Sequence, residues 1–357
     1  MSDVSLSLPA ELADEVIPIL DFGHYLAGED GALERLAGEL RYAQENIGFY
    51  FAINHGVPQG LIDRAHVNLR RFFALPEEEK KKHKNYLPTK STIYVSSTVN
   101  ENTQPDLNEM IRFLRERPAD HPGTQAGFSS HVVNHWPDEA LLPGWQTEML
   151  AYYGAMEALG YQMLPVYARA LDLPADYFDG LFDDPAWTTR NQHYPPVAAE
   201  DNQFGIAPHR DHGFLTLLPV TEEPGLQIRA TTGRWLPANK IDGAIIVNTG
   251  EFLNRWSNGR FMATATSCHT TARRSASSGF ADPGSPVPTT SRTTPVCSTT
   301  MGGSPPAMSA PSMPRASCRS PTGQRTSSNR EASGSRRSIS RTSPSAIRRF
   351  TRPRRSA

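Results

Sequence analysis

Two segments in the first part of the chain, 31–46 and 59–76, carry apolar residues at intervals of three and four. That spacing predicts two amphipathic helices. The apolar run 48–56 between them predicts a strand that ends at a turn. Segment 145–174 predicts a longer helix that contains Pro165. The charged run 78–85 is interpreted as a solvated helix face, because mixed charges at helical spacing are typical of one.

From about residue 188 the pattern changes to short apolar runs separated by glycine and proline. The runs are TRNQHYPP, GFLTLLPV, GLQIRA, GRWLPA, GAIIVNTG and GRFMAT. Such spacing is typical of a β-barrel or sandwich. Helices followed by strands predict a mainly β core with helical cover.

The pattern ends after residue 263. Segment 264–357 has no Leu, Lys, Tyr or Trp and is dominated by Ser, Thr, Arg, Pro, Ala and Gly. Such a composition cannot bury enough apolar surface to offset the entropy of ordering, so we expect a disordered tail. The tail has 15 arginines and two acidic residues, a net charge of +13, whereas the rest of the chain carries −14.

Other features of composition exclude little. All three cysteines lie in the tail, at spacings that fit no zinc or disulfide framework. No apolar run reaches transmembrane length and the start has no signal-peptide pattern, so we expect a cytoplasmic protein without a membrane partner.

The stretch APHRDHGFLTLLP, 207–219, sets charged groups directly before an apolar strand. Because side chains two apart in a strand share a face, His209 and Asp211 should point one way, and Arg210 and His212 the other. An imidazole and a carboxylate on one face supply two of the three ligands of the 2-His-1-carboxylate triad that binds Fe(II).

Eight motifs then follow one another in a recognisable order. They are VIPILDF, IGFYFAINHGVP, DLNEMIRF, NHWPDEALLPGW, RNQHYPP, PHRDHGFLTLL, GLQI and VNTGEFLNRWSNGRF. Over residues 16–263 the chain resembles the iron- and 2-oxoglutarate-dependent dioxygenases of the isopenicillin N synthase-like type. The resemblance implies a double-stranded β-helix (jelly roll) with an N-terminal α/β region. It divides the chain into an N-terminal region 1–120, a helix and jelly-roll core 121–263, and the tail 264–357.

The resemblance also implies a ligand set. His209 and Asp211 match the first two iron ligands, and Tyr194 matches the tyrosine that helps to hold the C1 end of 2-oxoglutarate, with Gln192 as a neighbour. Asn54 and His55 in INHG, and Asn248 in VNTG, are interpreted as structural residues of polar turns.

The chain departs from the family where the third ligand should lie. A histidine is expected near residue 266 but is absent there, and the nearest one is His269. The family also has an Arg-x-Ser clamp for the C5 carboxylate of 2-oxoglutarate. Arg273 and Ser275 are the nearest match, but they follow His269 too closely. We therefore expect an incomplete barrel.

Two origins of the tail are open: a frameshift, or a genuine basic tail that binds nucleic acid or another polyanion. The position of the break favours a frameshift, because a genuine tail should follow a finished barrel. A nucleic-acid partner is therefore not expected.

The resemblance implies an oxygenase that oxidises a small organic substrate with O2 and releases succinate and CO2, although some relatives do without 2-oxoglutarate. This chain should be impaired. The alternative is a non-catalytic jelly-roll remnant. A zinc hydrolase of the H-x-H-x-D-H type is disfavoured, because Ala207 stands at its first histidine.

Overall fold

The structure, a computed structural model, describes residues 16–88, 105–196 and 203–268, and the backbone of 295–301. The helices are α1 (Gly23–Leu26), α2 (Ala32–Asn46), α3 (Gln59–Phe73), α4 (Glu77–Lys80), α5 (Pro122–Gln125), α6 (Trp145–Ala170) and α7 (Glu251–Trp256). The strands are β1 (Ile19–Asp21), β2 (Phe49–Ile53), β3 (Tyr86–Leu87), β4 (Glu109–Leu114), β5 (Trp187–His193), β6 (Ile206–His209), β7 (Leu215–Pro219), β8 (Leu226–Arg229), β9 (Trp235–Pro237), β10 (Ile245–Thr249), β11 (Thr266–Cys268) and β12 (Pro295–Met301).

The strands form two sheets. The larger has the order β1-β2-β10-β7-β12-β5-β4-β3, and the smaller has the order β6-β11-β8-β9. Strands β1 and β2 come from the predicted N-terminal region but pair in the same sheet as β10 and β7. The N-terminal strands therefore extend the sheet of the jelly roll and do not form a sheet of their own.

Alternation along the strands separates two cores. Tyr50 of β2 and Val247 of β10 face the larger core, which α2, α3 and α6 cover. Phe51 and Ile246 face a smaller core that also contains Ile228 of β8, so this core lies between the sheets. Two packed sheets with helices outside confirm the mainly β fold with helical cover. Among the helices of the described residues, none combines the length and apolar character that crossing a bilayer requires.

The structure differs from expectation in two places. The charged run after α3 is not entirely solvated, because Lys80 and His83 are buried. Strand pairing also continues past residue 263. The short β11 pairs with β6 and β8, and β12 lies between β5 and β7. The sequence PVCSTTM contains Val and Thr, which suit a strand, and its backbone pairs two edges that would otherwise be open.

Candidate iron site

The predicted ligand pair lies where β6 meets the turn to β7. His209 is the last residue of β6, and Asp211 follows in the turn. The prediction that both residues lie on one regular strand was therefore wrong. The turn is fixed by the start of α7, where the N–H of Glu251 donates to the carbonyl of Asp211 at 2.8 Å. The backbones of Gly213 and Gly250 touch here: a Cβ on Gly250 would lie 1.9 Å from the Gly213 carbonyl oxygen. Gly250 is therefore required for this turn.

The turn brings the two predicted ligands together. Nε2 of His209 lies 3.7 Å from Oδ1 of Asp211, and the side chains are only 12% and 16% exposed. Nδ1 of His209 donates to the carbonyl of Ala207 at 2.8 Å. Because a carbonyl only accepts, Nδ1 carries the proton of a neutral imidazole, and Nε2 presents a lone pair to the carboxylate. Burial lowers the pKa of His209, which favours this neutral form.

Two residues on the inner face of the larger sheet surround Asp211. Asn248 of β10 and Thr216 of β7 are directly opposite one another, and Nδ2 of Asn248 donates to Oδ2 of Asp211 at 3.0 Å. Burial alone would raise the pKa of Asp211, but hydrogen bonds from Thr216 and Asn248 and the positive charge of Arg190 oppose it, and the pKa lies below its usual value. The carboxylate is therefore ionised. Asn248, which the sequence interpretation treated as a turn residue, lies within β10 and orients a predicted ligand.

Strand β5 supplies another wall of the site. Arg190 lies close enough for its positive charge to act on the pKa values of Tyr194, His209 and Asp211. Gln192 is buried and, by alternation, shares the face of Arg190. Tyr194, just after the strand, packs on Gly205, where an added Cβ would lie 2.8 Å from the ring. The structure thus places Gln192 on, and Tyr194 just after, the strand that borders the predicted ligand pair. Sequence reasoning did not single out Arg190, although its place at the start of the motif RNQHYPP was a usable signal.

Strand β11 occupies the position where the third ligand is expected. Thr266 is the partner of His209 on one side and of Ile228 on the other. Directly opposed residues point to the same face, and Ile228 lies in the core between the sheets, so Thr266 points inward too. A threonine therefore stands beside His209 where an imidazole is expected. His269, Arg273 and Ser275 lie outside the described residues.

The donor set fits a metal cation. A neutral imidazole nitrogen and an ionised carboxylate oxygen face each other across 3.7 Å, too far for a hydrogen bond, and both carry lone pairs. A positive charge between them would relieve their repulsion. The nitrogen and oxygen ligands match what Fe(II) takes in a facial triad, although the described residues supply two of the three.

Neighbouring polar groups point away from the site, as predicted for Arg210 and His212. Arg210 is exposed, and His212, with 53% of its side chain exposed, bonds Glu251 through Nδ1 at 3.0 Å. His193 lies on the opposite face of β5 from Gln192 and bonds Oε1 of Glu109 at 2.7 Å.

A second histidine and carboxylate cluster lies elsewhere and is held by arginines. His121, His131 and Asp184 bring three potential ligand atoms within 4.8 Å of one another. The Asp184 carboxylate, however, already accepts hydrogen bonds from Arg115 and Arg117. The Gly123 N–H donates to Nδ1 of His121 at 3.1 Å, so the proton of a neutral His121 is on Nε2, which faces Asp184. Two cationic neighbours and a protonated Nε2 disfavour a metal there.

Comparisons with known proteins identify the family. The profile for the "non-haem dioxygenase in morphine synthesis N-terminal" family matches residues 17–139, and that for the "2OG-Fe(II) oxygenase superfamily" matches residues 187–283. The chain is 32% identical over 262 residues to the 2-oxoglutarate-Fe(II) type oxidoreductase hxnY of Emericella nidulans, covering 71% of this chain and 74% of that one. It is 30% identical over 262 residues to the 2-oxoglutarate-dependent dioxygenase citB of Monascus ruber, covering 70% and 78%.

Solved structures share the fold. A putative 2OG-Fe(II) oxygenase family protein from Caulobacter crescentus superposes with a TM-score of 0.65 at 24% identity, covering 81% of this chain and 88% of that one. A full-length Neurospora crassa protein in complex with alpha-KG gives a TM-score of 0.66 at 23% identity, covering 83% and 87%. These likenesses confirm the jelly-roll prediction. The extent of the sequence match shows that the chain belongs to the 2OG-Fe(II) oxygenase superfamily, whose members are oxidoreductases that use Fe(II), 2-oxoglutarate and O2.

Proposed function

We propose that the mouth of the jelly roll is a non-haem iron site at which a small organic substrate is oxidised, with His209 and Asp211 as two of the ligands. The observation that carries the proposal is the 3.7 Å approach of Nε2 of His209 to Oδ1 of Asp211. Each group is held by its other polar atom, His209 by the Ala207 carbonyl and Asp211 by Asn248. The pair is therefore oriented before any metal arrives.

The residues around the pair have separate tasks in this proposal. Tyr194 and Gln192 lie beside the C1 end of 2-oxoglutarate, as the resemblance implies. The positive charge of Arg190 favours an anionic ligand in the same recess. Burial raises the pKa of Tyr194 well above its usual value, so its hydroxyl keeps its proton and can donate a hydrogen bond. Bound iron would supply the activation of O2, and the protein supplies orientation and a site shielded from water.

We infer that this chain is an impaired member of the family. Thr266 stands at the cross-strand position beside His209, where the third imidazole is expected. Loss of one of three protein ligands should weaken iron binding. His269 remains the alternative third ligand, and Arg273 and Ser275 remain the nearest match to the C5-carboxylate clamp.

Anaerobic Fe(II) titration of the full chain tests the site. We expect measurable binding to the unsubstituted chain and no binding to His209→Ala or Asp211→Ala. Arg210→Ala is the matched control and should bind as the unsubstituted chain does, because that side chain is exposed. Retained binding in Asp211→Ala together with loss in Arg210→Ala would overturn the assignment. No binding to the unsubstituted chain would favour the non-catalytic remnant.

We further propose that the reading frame changes near codon 264. Support comes from the loss of Leu, Lys, Tyr and Trp after that point and from Thr266 at the ligand position. The family match to residue 283 and the strand β12 lie within this segment, so the nucleotide sequence is the decisive observation. A one-base change near codon 264 should open a frame that encodes a histidine followed by Arg-x-Ser. If no frame encodes such a sequence, the tail is genuine.

A further inference from the structure

Among the described residues, the strand that carries His209 has a neighbour on only one side within its own sheet. Strand β6 is terminal in the order β6-β11-β8-β9, and its partner β11 is only three residues long. An edge strand with one short partner is weakly held. The position of His209 therefore depends on whatever covers the other edge of β6.

Segment 105–108 contacts residues 204 and 205, which lead into β6, and Ala207 within β6. The N–H of Leu107 donates to the carbonyl of Phe204 at 2.8 Å, and Nδ2 of Asn108 donates to the carbonyl of Gly205 at 2.6 Å. The next contact along β6 is of a different kind. The N–H of Ala207 donates to a side chain, Oδ1 of Asp106, at 2.9 Å.

The contact between Asp106 and Ala207 is connected to the predicted ligand His209 through a single residue. Asp106 holds the N–H of Ala207, and the carbonyl of the same residue accepts from Nδ1 of His209 at 2.8 Å. Pro208 follows Ala207 and has no N–H, so Asp106 is the group that fixes this part of β6 from outside. If Ala207 moves, its carbonyl leaves Nδ1, and the imidazole loses the contact that keeps the proton away from Nε2.

We propose that Asp106 is a positioning residue for His209, holding Ala207 so that the imidazole keeps its proton on Nδ1 and presents Nε2 to the metal. The proposal rests on the proposed iron site for its functional meaning, but the tautomer itself can be observed without metal. Asp106 touches neither metal nor substrate in this role. It acts on His209 through the backbone of Ala207, whose N–H and carbonyl make the two hydrogen bonds.

The test is the imidazole 15N NMR spectrum of the metal-free full chain labelled at histidine, with His209 assigned by the resonance lost in His209→Gln. In the unsubstituted chain we expect a protonated Nδ1 and an unprotonated Nε2. Asp106→Ala should shift the population toward the Nε2–H form. Asp106→Glu, which keeps the charge but moves the acceptor, should shift it in the same direction. Asp106→Asn retains the Oδ1 acceptor and should keep the original tautomer.

Asn108→Ala is the matched control, because it removes a neighbouring contact to the same edge without touching Ala207. Its His209 resonances should stay unchanged. Unchanged resonances in both Asp106→Ala and Asp106→Glu would overturn the proposal, as would an equal shift in Asn108→Ala, since the edge as a whole would then be responsible.

Iron titration separates this proposal from the assignment of the site. Asp106→Ala should raise the Kd for Fe(II) by roughly 10- to 100-fold, the usual cost of losing a group that orients a ligand, and Asp106→Asn should restore it. If the unsubstituted chain binds no Fe(II) while the tautomer still responds to Asp106, the proposed function fails and the positioning role stands. If iron binds normally to Asp106→Ala and the tautomer is unchanged, only the positioning role fails.

Discussion

Two buried pairs of histidine and carboxylate can be compared within the described part of the chain, and they differ in their suitability for a metal. Glu109 and His193 are cross-strand partners on β4 and β5, with Oε1 of Glu109 2.7 Å from Nδ1 of His193. Oε2 of the same carboxylate accepts from Lys80 at 2.6 Å and from Tyr86. In this pair both carboxylate oxygens already have donors.

The pair of His209 and Asp211 is somewhat more exposed, and its hydrogen-bond partners differ. One oxygen of Asp211 is bonded by Asn248, and the other faces an imidazole nitrogen that has no proton to give. Proximity of a histidine to a carboxylate therefore says little by itself. The remaining hydrogen-bond partners decide the outcome. We call Glu109 and His193 the closed pair, because both carboxylate oxygens have donors, and His209 and Asp211 the open pair, because one carboxylate oxygen faces a lone pair.

The largest effect should come from breaking the closed pair. Glu109→Ala leaves the buried ammonium of Lys80, 9% exposed, without its carboxylate. Removal of one partner of a buried ion pair costs about 3–5 kcal/mol of unfolding free energy, because the other charge stays buried and uncompensated. Urea denaturation followed by circular dichroism measures this loss.

Glu29→Ala is the control for that measurement. Glu29 pairs with His24 at 2.9 Å, but the two side chains are 51% and 66% exposed. Exposed pairs contribute little, so the denaturation midpoint should barely move. Equal losses in the two variants would show that Glu109 is not part of a buried network.

A second prediction concerns the open pair. Asn248→Ala removes the donor that orients Asp211, and the Kd for Fe(II) should rise roughly 10- to 100-fold in anaerobic titration. Asn54→Ala is the matched control, because Asn54 bonds Asp21 far along the chain from the site. An unchanged Kd in Asn248→Ala would mean that Asp211 is oriented without it.

A third prediction concerns a substitution that adds a third ligand to the open pair. Thr266→His places an imidazole directly opposite His209, and iron affinity should increase by about tenfold, since a third ligand completes the triad. Thr266→Ala should give no gain, and the gain should disappear when His209→Ala is combined with Thr266→His. If Thr266→His binds iron no better than the unsubstituted chain, β11 does not occupy the third-ligand position.

The smallest effect concerns the cluster at Asp184. Burial alone would raise the pKa of Asp184, but hydrogen bonds from Arg117 and His131 outweigh it and lower the pKa to about 2. A depressed carboxyl pKa stabilises the fold above the unfolded value and loses that contribution as pH falls toward 2. Asp184→Asn should therefore unfold at a midpoint that depends less on pH between about 4 and 2. The effect should be small, because 39% of the side chain is exposed to screening solvent. An unchanged pH dependence would contradict the role of Arg117.

Much of the fold and the candidate ligand pair could be predicted from local pattern. The helices predicted over 31–46 and 59–76 are α2 and α3, and the period of the pattern was sufficient because each helix presents one apolar face to the same core. His209 and Asp211 were predicted as ligands because H-x-D lies next to a strand-forming run, and the structure places them 3.7 Å apart. Asp106 could not be found this way, since its contact with Ala207 joins residues about 100 positions apart.

The sequence by itself determined the order of helices and strands, the mainly β class and the proximity of the two predicted ligands, because periodicity and short motifs act between neighbours along the chain. Tertiary structure decided which partners each buried polar group has. Only folding brings Lys80 and Tyr86 to Glu109, Asn248 to Asp211, and Thr266 opposite His209. The role of a buried charge depends on the polar groups that face it, and contacts between distant segments of the chain decide which groups those are.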